Sequence, residues 1–388
     1  MEASQSVPGR LRVRTGSSRQ VDPQAAVREL AAAIGQRDMG LVIVFVSSAY
    51  DPEPLARALQ SHFGDATVIG CTTAGEIGPA GYLDHSLSGV SFHREDLAFE
   101  AAVFEGLSRF EFRDGQRFAH GLKEALRRRV PELMPERTFA FMLIDGLCRR
   151  EERVTRAFYD GLEDVALVGG SAGDDLAFRE TRVLAGGRFV SDAALLIVAT
   201  TPFPFAVFKT QHFVGTEERL VVTGAIPEKR TVTEINGCPA AYEYANAVGI
   251  EIDRLDPLIF AAHPMVVRIG DAEFVRSIQT LNTDGSLTFY CAIDEGIVFR
   301  VARSVDMVEN LAAALDDVAA RVGKPSLVLG CDCILRRLEA KQRETGERID
   351  ALLRRSNVVG FSTYGEQFCG VHINQTFTGV AFGDGERE

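Results

Sequence analysis

Three carboxylates occupy the same place in three copies of one segment: Glu76 in IGCTTAGEIGPAG from Ile69, Asp174 in VGGSAGDD from Val168, and Glu366 in VGFSTYGEQFCG from Val359. A carboxylate just past a Gly-rich turn can orient a ligand, and it can equally accept backbone N–H bonds and hold the turn. For Glu76 and Asp174 the turn-holding role leads. Around Glu366 the two roles are closer, because Ser362, Thr363, Tyr364, Cys369 and His372 crowd the same turn. Thiols collect at comparable places: Cys331 and Cys333 in GCDC, and Cys148 in DGLC. A thiolate there could bind a metal, sense redox change or attack an electrophile, although inert thiols are the commoner case. One CxC without a partner motif falls short of a zinc ligand set, so no metal site is expected. Catalysis is not expected either. The chain has no GxSxG, HExxH or P-loop, GGSAGDD spaces its glycines wrongly for dinucleotide phosphates, and nothing marks a Cys-His assembly.

The elements that must position these residues repeat with them. Upstream of each copy lies a short β-rich apolar run: LVIVFVSS from Leu41, TFAFMLIDG from Thr138, SLVLGCDC from Ser326. Between run and signature, Leu55, Leu59 and Phe63, then Val154, Phe158 and Leu162, recur at helical spacing; the third unit carries Leu335, Leu338, Ile349, Leu352 and Leu353. Downstream come SGVSF, AALLIVAT and TGVAF. Each unit therefore reads strand, helix, strand, Gly-rich turn, strand. The glycines of the signature serve positive φ or close backbone approach. With an Asn-Gly turn in KRTVTEING and a hairpin around Asp284–Gly285, the pattern predicts an α/β (α+β) fold with mixed or antiparallel sheets.

At 388 residues the chain can hold two domains. The predicted division is a disordered tail over 1–20, a two-unit domain over 21–226, and a domain over 227–388 with one unit plus an insertion. A net charge of −12 with no evident basic patch argues against nucleic acid. The apolar runs are too short to span a membrane. Seven cysteines, an odd and scattered set, suit a cytoplasmic protein better than a disulfide framework.

IGCTTAGEI, VTEINGCPAAYEYANAVG from Val232, and VGFSTYGEQ followed by HINQTFTGVAF resemble the FIST family of paired N- and C-terminal sensory domains, in the family's order and over nearly the whole chain after residue 20. RSIQTLNTDGSLTFYCAIDEG and GCDCILRRLE narrow the resemblance to the NosP-like group of haem proteins that respond to nitric oxide. It implies a haem b iron sensor that regulates a histidine kinase and is no enzyme. The axial-ligand candidates are then His372, matching the C-terminal motif, followed by His212 and His263 in apolar settings. Each of the three could instead be a hydrogen-bonded core histidine. The alternative is a haem-free FIST module that binds a small metabolite such as an amino acid. Glu366, Tyr364 and Glu76, with Asp174, would line that site, and Arg276 or Arg336 would hold a carboxylate. A homo-oligomer is compatible with either reading.

Overall fold

A computed structural model describes residues 9–270 and 272–385. The first unit comprises Val13–Ser18 (β1), Pro23–Ile34 (α1), Met39–Ser47 (β2), Pro52–Phe63 (α2), Thr67–Thr73 (β3), the hairpin Glu76–Gly78 and Gly81–Leu83 (β4, β5), and Leu87–His93 (β6). Its helix α2 shows why these residues fold locally. Asp51 accepts a hydrogen bond from the Glu53 N–H, Pro52 starts the first turn, and Leu55, Leu59 and Phe63 turn one apolar face inward. The second unit repeats the order: Ala98–Glu105 (β7), Phe112–Arg129 (α3), Thr138–Ile144 (β8), Glu151–Leu162 (α4), Ala166–Ser171 (β9), the hairpin Val183–Ala185 and Arg188–Val190 (β10, β11), and Ala193–Thr200 (β12).

Phe205–Gln211 (β13) opens the third unit, which an insertion then interrupts. The insertion contains Phe213–Gly215 (β14), Leu220–Ile226 (β15), Thr231–Ile235 (β16), Cys238–Pro239 (β17), Ala240–Val248 (α5), Pro257–Ala262 (α6), Met265–Ile269 (β18), Ala272–Arg276 (β19), Ile278–Leu281 (β20), Leu287–Phe289 (β21) and Val298–Ser304 (β22). The third unit resumes with Met307–Val322 (α7), Leu327–Cys333 (β23), Ile334–Gln342 (α8), Gly346–Arg355 (α9), Val358–Thr363 (β24), the hairpin Glu366–Phe368 and Val371–Ile373 (β25, β26), and Thr376–Phe382 (β27).

Each unit builds four strands of a mixed sheet, with its first two repeat strands parallel (β2/β3, β8/β9, β23/β24). Each sheet is then completed by a hairpin from another unit. β10 of the second unit pairs with β3, β25 of the third with β9, and β4 of the first with β24. The exchange closes on itself, so the three units form a ring of mutual strand donation. Their inner faces make one shared core in which Phe45 stacks on Phe361 at 4.8 Å. The insertion forms its own nine-stranded sheet around a separate core.

The glycines of the signatures are explained mainly by close approach. A Cβ on Gly70, Gly169 or Gly360 would lie 2.0, 2.1 or 1.8 Å from the carbonyl oxygen of Val44, Met142 or Gly330 on the neighbouring parallel strand. Of Gly70, Gly75, Gly169, Gly173, Gly360 and Gly365, Gly75 alone has positive φ, at +123°.

Two expected boundaries shift. Val13–Ser18, placed in a tail by the sequence, is a strand paired along its length with β6; the rest of that tail from residue 1 to 8 lies outside the described residues. A division at 226/227 falls between β15 and β16, which pair with each other, whereas β13 pairs with β27 in the repeat core.

Candidate functional site

The parallel strands all end toward one pole, where polar side chains and signature turns collect. Open α/β sheets present ligand sites at this end. Backbone hydrogen bonds lace the turns across unit boundaries: Ala74 N–H to Ser362 O (3.0 Å), Gly173 N–H to Thr72 O (3.0 Å), Tyr364 N–H to Ser171 O (3.2 Å). Ala74, Tyr364 and Ile334, flanked by Leu147 and Leu335, plug the centre.

Beside this plug a cavity of about 480 Å3 opens between the repeat core and the insertion. Leu176 and Phe178, on the turn after Asp174, form one wall; Leu335 and Leu338 of α8 form another; Leu258, Ala261, Ile278 and Tyr290 of the insertion face them. Tyr364 stacks on Phe178 at 4.7 Å, and Phe178 lies 6.5 Å from Tyr290, so aromatic faces line the approach. Asp174 fixes this wall. Its carboxylate accepts from the N–H groups of Phe178, Arg179 and Glu180 and from the Tyr364 hydroxyl.

Glu339 and Arg343, 2.9 Å apart, edge the same cavity and begin a buried polar chain. Glu339 is 2.7 Å from His212 Nε2, His212 Nδ1 is 3.0 Å from an Arg336 nitrogen, Arg336 Nε donates to Asp332 at 2.7 Å, and Asp332 accepts from the Tyr82 hydroxyl. Arg336 has only donors, so His212 Nδ1 must accept and Nε2–H must donate. Burial pushes the His212 pKa down, which favours this neutral form. The chain links the cavity to a hairpin lent by the first unit.

The sequence-chosen residues do not form one constellation. Glu76 and Glu366 are fully buried within their own turns. Glu76 accepts from Thr73 and Ser86, and Glu366 from Thr363 and Thr376, including the Thr376 N–H at 3.2 Å. Burial raises their pKa to about 7 and about 8. His372 is buried, its Nδ1 lies 3.2 Å from the Gln367 amide, and burial lowers its pKa to about 4. Arg276 donates to the Val275 carbonyl. Tyr364 does not line the cavity but stacks behind Phe178, which does. Cys331 and Cys333 are buried, and burial holds both thiols well above their ordinary pKa, against thiolate chemistry. Sequence reasoning missed Leu176, Phe178, Leu258, Tyr290 and Leu338. The one signal was DDLAF, an apolar pair directly after two carboxylates.

A haem needs an imidazole nitrogen with room beside it. His212 uses both nitrogens, and the ring of His372 is walled by Gly365, where a Cβ would sit 2.3 Å from Cε1 and 2.8 Å from Nε2. Neither fits an axial ligand. His263 directly follows α6, and its ring makes no hydrogen bond among the described residues, but it is not one of the residues that line the cavity.

The opposed titrations set a pH profile. The folded state keeps a proton on Glu366 up to about pH 8, whereas the unfolded chain releases it near the ordinary value of 4.5, so this group's stability falls as pH rises across that window. His372 acts oppositely: its stability is lost as pH falls from 6.5 through about 4. Between about pH 7 and 8, above the value to which Glu76 is raised, the Glu366 effect remains, and Glu366→Gln should flatten the decline in urea midpoint across that interval. An unchanged slope would contradict the protonated carboxyl.

Comparison with known proteins places residues 40–238 with the FIST N domain and residues 240–369 with the FIST C domain. A search of curated proteins finds no match. Among solved structures, the crystal structure of cyanuric acid hydrolase from A. caulinodans is 10% identical, covering 96% of this chain and 99% of its own, with a TM-score of 0.40. A second structure of cyanuric acid hydrolase, described as evolutionary innovation by structural concatenation, is 8% identical, covering 96% and 100%, with a TM-score of 0.38. The expectation that the chain is no enzyme is not carried forward, because both of these structures are of an enzyme. At this distance neither assigns a reaction or a residue. No helix among the described residues is long and apolar enough to cross a membrane.

Proposed function

Because the chain belongs to the FIST family, whose domains are sensory domains of signal transduction, we propose that it senses a small planar molecule in the cavity between its repeat core and its insertion. One observation carries this reading. Leu176, Phe178, Leu258 and Leu338 are 37, 40, 56 and 39% exposed, and all four border that one cavity. Apolar side chains clustered around a concavity, with a few polar groups at its edge, are what ligand sites present. The faces of Phe178 and Tyr290 favour a flat ring, and Gln279, Gln342 and the Glu339–Arg343 pair offer hydrogen bonds at its edge. A ligand touching both bodies favours one arrangement of insertion and core, and a partner that distinguishes the arrangements receives the signal. The partner implied by the resemblance is a histidine kinase.

The test is thermal unfolding against a panel of planar aromatic metabolites. A ligand at 100 times its Kd stabilises by about 2.7 kcal/mol, a rise of several degrees. The rise should disappear in Leu258→Asp, which puts a charge on an exposed wall position without disturbing a core. A panel that stabilises wild type and variant alike contradicts the site.

A second reading keeps the cavity and fills it with haem b. Its candidate ligand is His263, which adjoins the cavity without lining it: Leu258, Ala261 and Ala262 of the helix it terminates border the cavity. Haem would supply an iron that takes nitric oxide. The chain would supply the apolar walls, an aromatic face and the imidazole. Titration with haemin should then give a Soret band that shifts with nitric oxide and is lost in His263→Ala. A band that survives this substitution, or no uptake at all, removes the reading.

A further inference from the structure

At the pole opposite the cavity, a groove of about 810 Å3 runs along the start of β1, bounded on its far bank by Lys324, Pro325, Ser326 and Asn357 of the third unit. Those residues precede β23 and β24, and Gln36 and Arg37 precede β2, so the groove sits at the beginnings of the parallel strands. Arg10, Arg12, Arg14, Arg37 and Lys324 all border it, a concentration of cations on a chain with net charge −12.

Two of the five are neutralised internally. Arg12 is held by Asp96 and by Glu95 at 3.0 Å, and Arg10 lies 4.0 Å from Asp384. Arg14 donates to the Gly35 carbonyl, and Arg14, Arg37 and Lys324 have no carboxylate partner among the described residues. A second feature coincides with the charge. β1 is the terminal strand of its sheet, paired with β6 alone, so alternate residues direct backbone N–H and C=O groups away from β6. An unpaired edge of this kind accepts an added strand, and its backbone bonds are satisfied by the newcomer.

We propose that this groove docks an extended acidic segment of a partner protein as an added strand on β1, with Arg14, Arg37 and Lys324 facing its carboxylates. The chemistry favours a polypeptide over a nucleic acid. Asp384 borders the groove among the cations, and Asp96 and Glu95 pair with Arg12, a mixed pattern that a uniform polyanion would meet with repulsion, whereas a segment alternating acidic and neutral residues has the period of a strand. The groove is also separate from the sensing cavity, so both can be occupied together.

The experiment is fluorescence anisotropy of the full chain with a fluorescein-labelled peptide of alternating Glu and Thr. Saturable binding is expected, weakening as salt rises from about 0.05 to 0.2 M. The double variant Arg37→Glu/Lys324→Glu, at two exposed positions, should bind at least about tenfold more weakly with an unchanged urea midpoint. Three results would overturn the proposal: no saturable binding, equal binding by the double variant, or equal binding by a peptide of the same charge with Pro at alternate positions, which cannot donate strand hydrogen bonds. Single-stranded DNA of matched charge that binds as tightly as the peptide would overturn it too, in favour of a nucleic-acid surface.

Discussion

Arg336→Ala should cost the folded chain about 3–5 kcal/mol, the range for leaving one member of a buried ion pair without its partner. Arg336 and Asp332 have side chains 1 and 2% exposed and meet at 2.7 Å. Removing the guanidinium leaves the Asp332 carboxylate with the Tyr82 hydroxyl but no cation and takes the donor from His212 Nδ1, so two buried groups lose their match at once. The urea midpoint reads the loss. Arg336→Met keeps the stem's packing and tests whether charge or volume dominates. A loss under about 1 kcal/mol, the worth of an exposed pair, would contradict the buried chain.

A larger effect is expected from Gly360→Ala. The new Cβ would stand 1.8 Å from the Gly330 carbonyl oxygen, where real Cβ atoms essentially never come under 3.0 Å. The obstacle is backbone, so β23 and β24 must separate, and their sheet also carries the hairpin lent by the first unit. Destabilisation above about 4 kcal/mol is expected, in practice a failure to accumulate folded protein. Gly70→Ala and Gly169→Ala should behave alike, since each meets the equivalent carbonyl at 2.0 and 2.1 Å. Gly121→Ala is the control: it lies inside α3 with nothing within 4 Å of the added methyl, and should stabilise by about 0.5–1 kcal/mol.

How much of this was legible follows from the range over which each feature is encoded. The repeat is written locally, in apolar runs of period two, helical spacing such as Leu55, Leu59 and Phe63, and glycine turns, so the order of elements could be read. The ring of exchanged hairpins could not be, because nothing in Glu76–Gly78 says that its partner is Gly360–Phe361 rather than its own unit's β3. The signature carboxylates were legible as turn holders in part. Glu76 and Glu366 contact hydroxyls three and ten residues away. The polar chain was hidden, since His212 reaches Glu339 across 127 residues. So was the cavity. In sequence, Phe178 and Leu258 look like core residues, and only the meeting of the insertion with α8 leaves them half exposed around one space. Arg10, Arg12 and Arg14 fall within the predicted tail over 1–20, and the structure places them beside Arg37 and Lys324.

The measurement that bears most directly on the sensing cavity is a fluorescence titration with 8-anilinonaphthalene-1-sulfonate, an aromatic sulfonate that brightens in apolar surroundings and whose signal no Trp obscures, because the chain has none. A single saturable site on the folded wild type, weakened at least about tenfold in Phe178→Ala and in Leu258→Asp with unfolding midpoints retained, is the predicted result. Enhancement that is absent, or identical in all three proteins, would contradict a ligand site between the repeat core and the insertion.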